Sequence, residues 1–203
     1  MSRLVPLAGV VSVVLIVLAF VVGGETPDTD DSLREIVSFY RDNDSEQIWA
    51  SALLGWGSLL FLVFVTALWR ALRTAEGERR EASTVALVGG TVAVVGMTVF
   101  AGIGFTLGDV ADDVNPVALQ TLNAMGSDLF FTVAVGTGAF LLGAGASVVR
   151  TAVLPKWLGW VAVALGVFAI TPVGFFAFLL MGLWTLIVSV LLWRASSAPV
   201  APS

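Results

Sequence analysis

The 203-residue chain is 58% hydrophobic and 12% charged, with a net charge of −5 and a mean hydropathy of +0.97. Soluble domains carry about 25% charged residues, so this composition excludes an ordinary water-soluble fold and indicates a protein that resides in a lipid bilayer. The pI near 4.5 and the lack of a large basic stretch argue against nucleic acid as a partner.

Uncharged stretches long enough to cross a membrane recur along the sequence. A hydrocarbon core about 30 Å thick needs roughly 20 apolar residues of helix, because each residue advances the helix by about 1.5 Å. Five runs meet this criterion, at residues 4–24, 48–69, 82–108, 129–149 and 157–193.

The last run is too long for a single crossing, since its 37 residues would extend about 55 Å as one helix. Pro172 lacks an N–H group and disfavours helical geometry at Thr171, and Gly174 relaxes the chain two residues later. A hairpin is therefore predicted, with one kinked helix as the alternative. The predicted fold is all-α, a single membrane domain over residues 1–203, with helices at about 4–24, 48–69, 82–108, 129–149, 154–170 and 173–193.

Basic residues test this count independently, because short cytoplasmic loops collect lysine and arginine. With six helices, eight of the ten basic residues fall on one side, and only Arg34 and Arg41 fall on the other. The N- and C-termini are therefore predicted to be cytoplasmic, in a multi-pass protein of the cell membrane. The eight residues are Arg3, Arg70, Arg73, Arg79, Arg80, Arg150, Lys156 and Arg194.

The predicted outer loop, residues 25–47, contains the pattern of a short amphipathic helix. Leu33, Ile36, Val37 and Tyr40 recur at helical spacing, and Ser32 precedes Glu35 by the three residues of a capping box. Such a helix lies on the outer membrane surface or caps the bundle; the alternative is a gate or a partner-binding helix. The many acidic residues of this loop are interpreted as a solvated face, with a cation-collecting vestibule as the alternative.

Small residues repeat along the predicted third and fourth helices. This spacing lets two helix backbones approach closely, which in membranes usually serves packing within the bundle. A self-association motif is the alternative, so the predicted partners are the lipid bilayer together with another membrane protein or a second copy of the chain. The residues concerned are Ala86, Gly89, Gly90, Ala93, Ala139, Gly143 and Ser147.

The chain has no histidine and no cysteine. It therefore cannot supply a Ser–His or Cys–His pair, a histidine haem ligand or a conventional zinc site. No catalytic residue, cofactor or metal ligand is predicted, and the protein is not expected to be an enzyme.

Asp128 stands directly in front of the fourth apolar run, where its depth decides its meaning. Arg150 follows it by 22 residues, about 33 Å of helix, so the aspartate is predicted at the outer interface. An interfacial carboxylate needs no function. The alternative is an outward-facing polar pocket formed by Asp128 with Asn123 and Gln120, which share its helical face only loosely.

Two short motifs add a resemblance. EIVSFYRDN in the outer loop and LPKWLGW before the fifth helix resemble a group of uncharacterised small six-helix integral membrane proteins common in actinobacteria. The resemblance spans residues 5–195 and implies the same six-helix fold. It implies no activity, so no functional residue is carried over.

Three functions of different classes fit these features. The first is a non-enzymatic scaffold, sensor or accessory subunit, favoured by the absence of catalytic sets and by the ordered outer helix. The second is a small permease or channel for an unknown solute, although the sequence shows neither an internal repeat nor a charge at midplane depth. The third is a lipid-acting membrane enzyme, which would need carboxylates and a bound metal at the acidic outer face.

Overall fold

The computed structural model describes residues 4–171 and 173–197 and is 85% helical, without strands in that part of the chain. A 3-10 turn, Val5–Leu7, leads into the first helix. The seven α-helices are α1 (Ala8–Gly23), α2 (Leu33–Asp42), α3 (Asp44–Glu76), α4 (Glu81–Asp109), α5 (Pro116–Thr151), α6 (Lys156–Ala169) and α7 (Gly174–Ser197).

The predicted all-α class is confirmed, and five of the helical segments are long and apolar enough to cross a membrane, which is consistent with a membrane protein. They contain α1, α3, α4, α5 and α7. The remaining apolar helix, α6, has only 14 residues and would extend about 21 Å. Residues 154–170 were predicted as a sixth crossing, and the shorter α6 stands in their place.

Two helices extend well beyond the apolar runs that predicted them. Helix α3 begins at Asp44 rather than at residue 48, and α5 begins at Pro116 rather than at residue 129. The start of α5 is fixed locally: the Asn115 side chain accepts a hydrogen bond of 2.8 Å from the Val117 N–H, and proline occupies the first helical position. Hydropathy predicts only the segment in lipid, whereas a helix continues wherever its polar turns are capped and packed.

The long helices form an antiparallel ring in which each packs on the next in chain order, and α7 packs on both α6 and α1. The centre is filled by aromatic side chains: the Phe140 ring lies 5.5 Å from that of Phe61 and 5.9 Å from that of Trp184. Helix α2 lies across one end of the ring, against α5, α3 and α4. We call this the α2 end and the opposite end, which carries Arg70 and Arg150, the basic end.

The chain reverses direction between α6 and α7. The Trp184 indole N–H donates a hydrogen bond of 3.0 Å to the Leu158 carbonyl, although a continuous helix would separate these residues by about 39 Å. The predicted hairpin is therefore present and the single kinked helix is not. Pro172, to which the break was assigned, lies outside the described residues. Gly174 is required next to it, because a Cβ there would collide with the Ala169 carbonyl oxygen.

Helix α5 packs through glycines on two opposite faces. A Cβ added at Gly136 or Gly143 would collide with the backbone of α4, at Ala93 and Ala86 respectively. On the other face, a Cβ at Gly145 would lie 2.7 Å from the carbonyl oxygen of Gly159 in α6. The small-residue packing predicted from the sequence is thus confirmed between α4 and α5, and it extends to α6.

Replacing Gly143 with alanine should destabilise the bundle, because the new Cβ would push α4 and α5 apart. Overpacking of this kind costs about 1–3 kcal/mol. Gly102 of α4 is the matched control, since nothing lies within 4 Å of a Cβ added there. The midpoint of thermal unfolding in detergent should fall for Gly143→Ala and not for Gly102→Ala. Equal midpoints would contradict the close approach of the helices.

Candidate functional site

Helix α2 forms as its sequence pattern predicts. The Ser32 hydroxyl accepts a hydrogen bond of 3.3 Å from the Glu35 N–H, and the Glu35 carboxylate accepts one of 3.0 Å from the Ser32 N–H. These two bonds complete the predicted capping box. The hydrogen bonds from Ser32 hold the pKa of the Glu35 carboxyl below its usual value, so the cap is charged at neutral pH. The first turn of α2 is therefore stabilised by hydrogen bonds within the helix itself.

One face of α2 is buried against the bundle. Ile36 is 0% exposed and Tyr40 2%, and both pack with Leu107 at the end of α4 and Leu119 at the start of α5. This small cluster is separate from the main core. It explains why α5 continues past the apolar run, because its first turns form the surface on which α2 rests.

A hydrogen-bonded chain joins α2 to α5 and to the linker after α1. The Tyr40 hydroxyl donates to Asn123 Oδ1 at 2.6 Å, and Asn123 Nδ2 donates to the Pro27 carbonyl oxygen at 3.2 Å. Burial raises the pKa of Tyr40 to about 12, so its hydroxyl remains a proton donor at neutral pH. Three segments that are distant in sequence are fixed together by one buried amide.

Below this chain lies a cavity of about 120 Å³, enclosed by α1, α3, α4 and α5. That volume holds several water molecules or a small chemical group. Tyr40, Gln47 and Asn123 line the part next to α2. Farther toward the basic end the wall becomes apolar, with Ala19, Phe20, Leu54, Phe100 and Ala101.

The polar groups of the cavity wall are hydroxyls and amides, and every side chain that lines it is uncharged. Gln47 Nε2 donates a hydrogen bond of 2.7 Å to the Gly23 carbonyl oxygen, which leaves Oε1 of its amide as an acceptor. Ser51 is 8% exposed and lines the cavity, so its hydroxyl is available to a molecule bound there. Hydroxyl and amide groups on the wall of a cavity are suited to hydrogen-bond a guest.

The three residues that the sequence singled out lie in different surroundings. Asn123 is 4% exposed and lines the cavity, whereas Asp128 is exposed and Gln120 is half-buried, and neither of these two lines it. No hydrogen bond joins Asp128 or Gln120 to Asn123 in the part of the chain that the structure describes. Asp128 also lies within α5, twelve residues after its first residue, rather than at a helix entrance.

Tyr40, Gln47 and Ser51 belong to the site and were not singled out as site residues. A usable signal existed for Tyr40, the single tyrosine of the chain, since it ended the predicted apolar face of α2. Gln47 stands one residue before an apolar run and Ser51 stands within it. Single polar residues at such positions usually serve packing, so no local pattern identified Gln47 and Ser51 as site residues.

The polar groups that line this cavity are hydroxyls and amides. Neutral hydroxyls and amides hydrogen-bond a guest, whereas general acid–base work needs a group with a pKa near the working pH. In the described ranges, 4–171 and 173–197, no three acidic side chains come close enough together to hold a metal ion. No protein-family model, curated protein or solved structure matches the chain, so the geometry of the site carries its functional interpretation.

Replacing Tyr40 with phenylalanine should loosen α2, because Asn123 Oδ1 would lose its 2.6 Å donor inside the protein. An unsatisfied buried acceptor costs about 1–3 kcal/mol. Ser38→Ala is the matched control, since this exposed hydroxyl bonds only within α2, to the Glu35 carbonyl oxygen. Amide hydrogen exchange of residues 33–42 should accelerate in Tyr40→Phe alone. Unchanged protection of α2 would contradict the role given to the hydrogen bond.

Proposed function

We propose that this chain is a six-pass protein of the cell membrane, with both termini in the cytoplasm and α2 on the outer face. The distribution of basic residues supports this orientation, because Arg70, Arg150 and Lys156 lie at the basic end and only Arg34 and Arg41 lie at the α2 end. Helices α6 and α7 enter and leave the membrane from the cytoplasmic side as a hairpin. The same topology extends the proposed kinship with the actinobacterial six-helix proteins.

Single cysteines test the orientation directly, since the natural chain has none. Ser38→Cys on the exposed face of α2 should react in intact cells with a membrane-impermeant maleimide. Glu78→Cys, in the connection between α3 and α4 at the basic end, should react only after the cells are lysed. The opposite pattern would invert the orientation, and labelling of both in intact cells would remove the membrane topology altogether.

Within this topology the protein acts as a non-enzymatic binding protein, of the sensor or accessory class, whose cavity receives a small uncharged molecule. The observation that carries this proposal is the cavity beneath the docked α2, whose described lining residues are uncharged and include Ser51, Gln47 and Asn123. An ionic guest would enter such a site without a counter-charge, at a high desolvation cost. The guest is therefore neutral and carries hydrogen-bonding groups.

The core below the cavity favours binding over conduction. Between the cavity and the basic end, Phe61, Phe64, Phe140 and Trp184 are packed at the centre of the ring and are almost completely buried. A conducting pore would need these rings to separate, whereas a sensor needs only to change the position of α2. Helix α2 is suited to signal occupancy to a membrane-protein partner or a second copy of the chain, because it covers the cavity and also faces outward.

Native mass spectrometry tests the binding function. The protein purified from its own membranes in mild detergent should retain an uncharged small molecule at stoichiometric amounts. Ser51→Leu should lose it, because the larger side chain fills the cavity next to Gly104. Gly55→Leu is the control one turn along α3, where an added Cβ meets nothing within 4 Å.

Two results would oppose the binding function: a wild-type protein without an adduct, or equal adducts in Ser51→Leu and Gly55→Leu. The midpoint of thermal unfolding should be recorded for both variants, so that loss of the adduct is not confused with loss of the fold. A protein partner retained in the same spectra would identify the complex in which the sensor works.

A further inference from the structure

The mouth of the cavity can be located from the exposure of its walls. Most of the lining residues are buried or half-buried, and the three exposed ones are Gly24, Thr26 and Ser127. Gly24 and Thr26 follow the end of α1, and Ser127 lies on α5. The cavity therefore opens sideways, between α1 and α5, rather than beneath α2.

This side opening exists because α7 does not extend to the α2 end. Helix α7 begins at Gly174, and its first turns contact α1 and α5 through aromatic rings: Phe175 lies 6.0 Å from Phe20 and 5.6 Å from Phe130. Helix α5 continues for 14 residues beyond Phe130 toward Pro116, about 21 Å, without α7 beside it. None of the described lining residues comes from α6 or α7.

Contacts between residues limit this opening on two sides. The aromatic contacts of Phe20, Phe130 and Phe175 close it on the side of the basic end. The hydrogen bond from Asn123 to the Pro27 carbonyl oxygen closes it on the side of α2. We call the space between these limits, bounded by the last turn of α1 and by Ser127, the side window.

The depth of the cavity in the membrane follows from helix lengths. Leu54 precedes Arg70 by 16 residues, about 24 Å, and so lies within a hydrocarbon core about 30 Å thick. Asn123 precedes Arg150 by 27 residues, about 40 Å, and so lies beyond the hydrocarbon, at the level of the lipid headgroups. The apolar part of the cavity thus lies at the depth of the lipid chains and its polar part at the depth of the headgroups.

We infer that the side window admits a lipid from the outer leaflet, one whose polar head is uncharged and carries hydroxyl or carbonyl groups. The head reaches Ser51, Gln47 and Asn123 through the window, and its chain stays in the bilayer along Phe20. The order of polar and apolar walls then matches the order of head and chain in the membrane, so the lipid enters without turning over. This inference rests on the proposed binding function and specifies the class of its ligand and the route by which it arrives.

Photo-crosslinking in nanodiscs tests the inference. The probe is a diacylglycerol with a diazirine in its acyl chain, and phosphatidylglycerol with the same diazirine chain is the charged-head control. Peptide mass spectrometry should find the diacylglycerol adducts concentrated on the end of α1 and on α5 around Ser127, several-fold above those of phosphatidylglycerol. Equal adducts from both probes, or adducts spread evenly over all exposed helix faces, would overturn the inference.

Two variants of opposite effect make the test specific. Ser127→Trp narrows the window and should reduce the diacylglycerol adducts several-fold, whereas Phe20→Ala widens it and should increase them. Thr98→Trp is the matched control on an exposed position of α4 that does not line the cavity. Adducts that Ser127→Trp and Thr98→Trp reduce equally, with both proteins folded by circular dichroism, would also overturn the inference.

A water-soluble probe distinguishes a ligand that enters from the membrane from a ligand with the same head that enters from water. Dihexanoylglycerol offers an identical head from the aqueous phase, and it should not compete measurably with the long-chain probe in wild type or in Ser127→Trp. Competition that Ser127→Trp leaves intact, but that Ser51→Leu abolishes, would place entry on the aqueous side and overturn the lipid route while the binding function stands. Loss of all binding would instead end both proposals.

Discussion

The bundle depends on the close packing of α5, whose glycines meet a neighbouring backbone on each of two opposite faces. Gly136 and Gly143 admit α4, and Gly138 and Gly145 admit α6. In a membrane the hydrophobic effect does not drive helices together, so close backbone contact supplies the attraction. The resulting position of α5 between α4 and α6 determines what lies beside its first turns: α2 on one side and an open flank on the other.

Packing alone would leave α2 loosely attached, because its apolar face is short. The polar chain through Asn123 fixes its position instead, since a buried amide that is satisfied on both sides permits one arrangement and penalises others. A second contact, from Arg41 to the Ala111 carbonyl oxygen at 3.1 Å, holds the end of the helix. Helix α2 is thus held over the cavity by a small set of polar contacts together with the packing of Ile36 and Tyr40.

Sequence reasoning performed best where one physical signal dominates. Hydropathy predicted the apolar helices, and the spacing of Ser32 and Glu35 predicted the cap of α2, because both signals are local. Hydropathy predicted the fourth apolar run only from residue 129, whereas the Asn115–Pro116 pair marks the start of α5, because a proline at the first helical position is a local signal. Of the three predicted site residues, only Asn123 lines the cavity. Asp128 was singled out because of its charge, but it follows Asn123 by five residues, which places it about 140° around the helix from Asn123.

The shortness of α6 links the fold to the site. Gly159 and Gly166 hold it tightly on α5, and its 14 residues extend only about 21 Å. If α6 and α7 each extended two more turns, the hairpin would fill the flank between α1 and α5 and would close the cavity to lipid. A soluble ligand would not require that gap, because a passage beneath α2 would serve it equally well. The short length of α6 is therefore the feature of the architecture that favours the proposed ligand from the membrane over one from water.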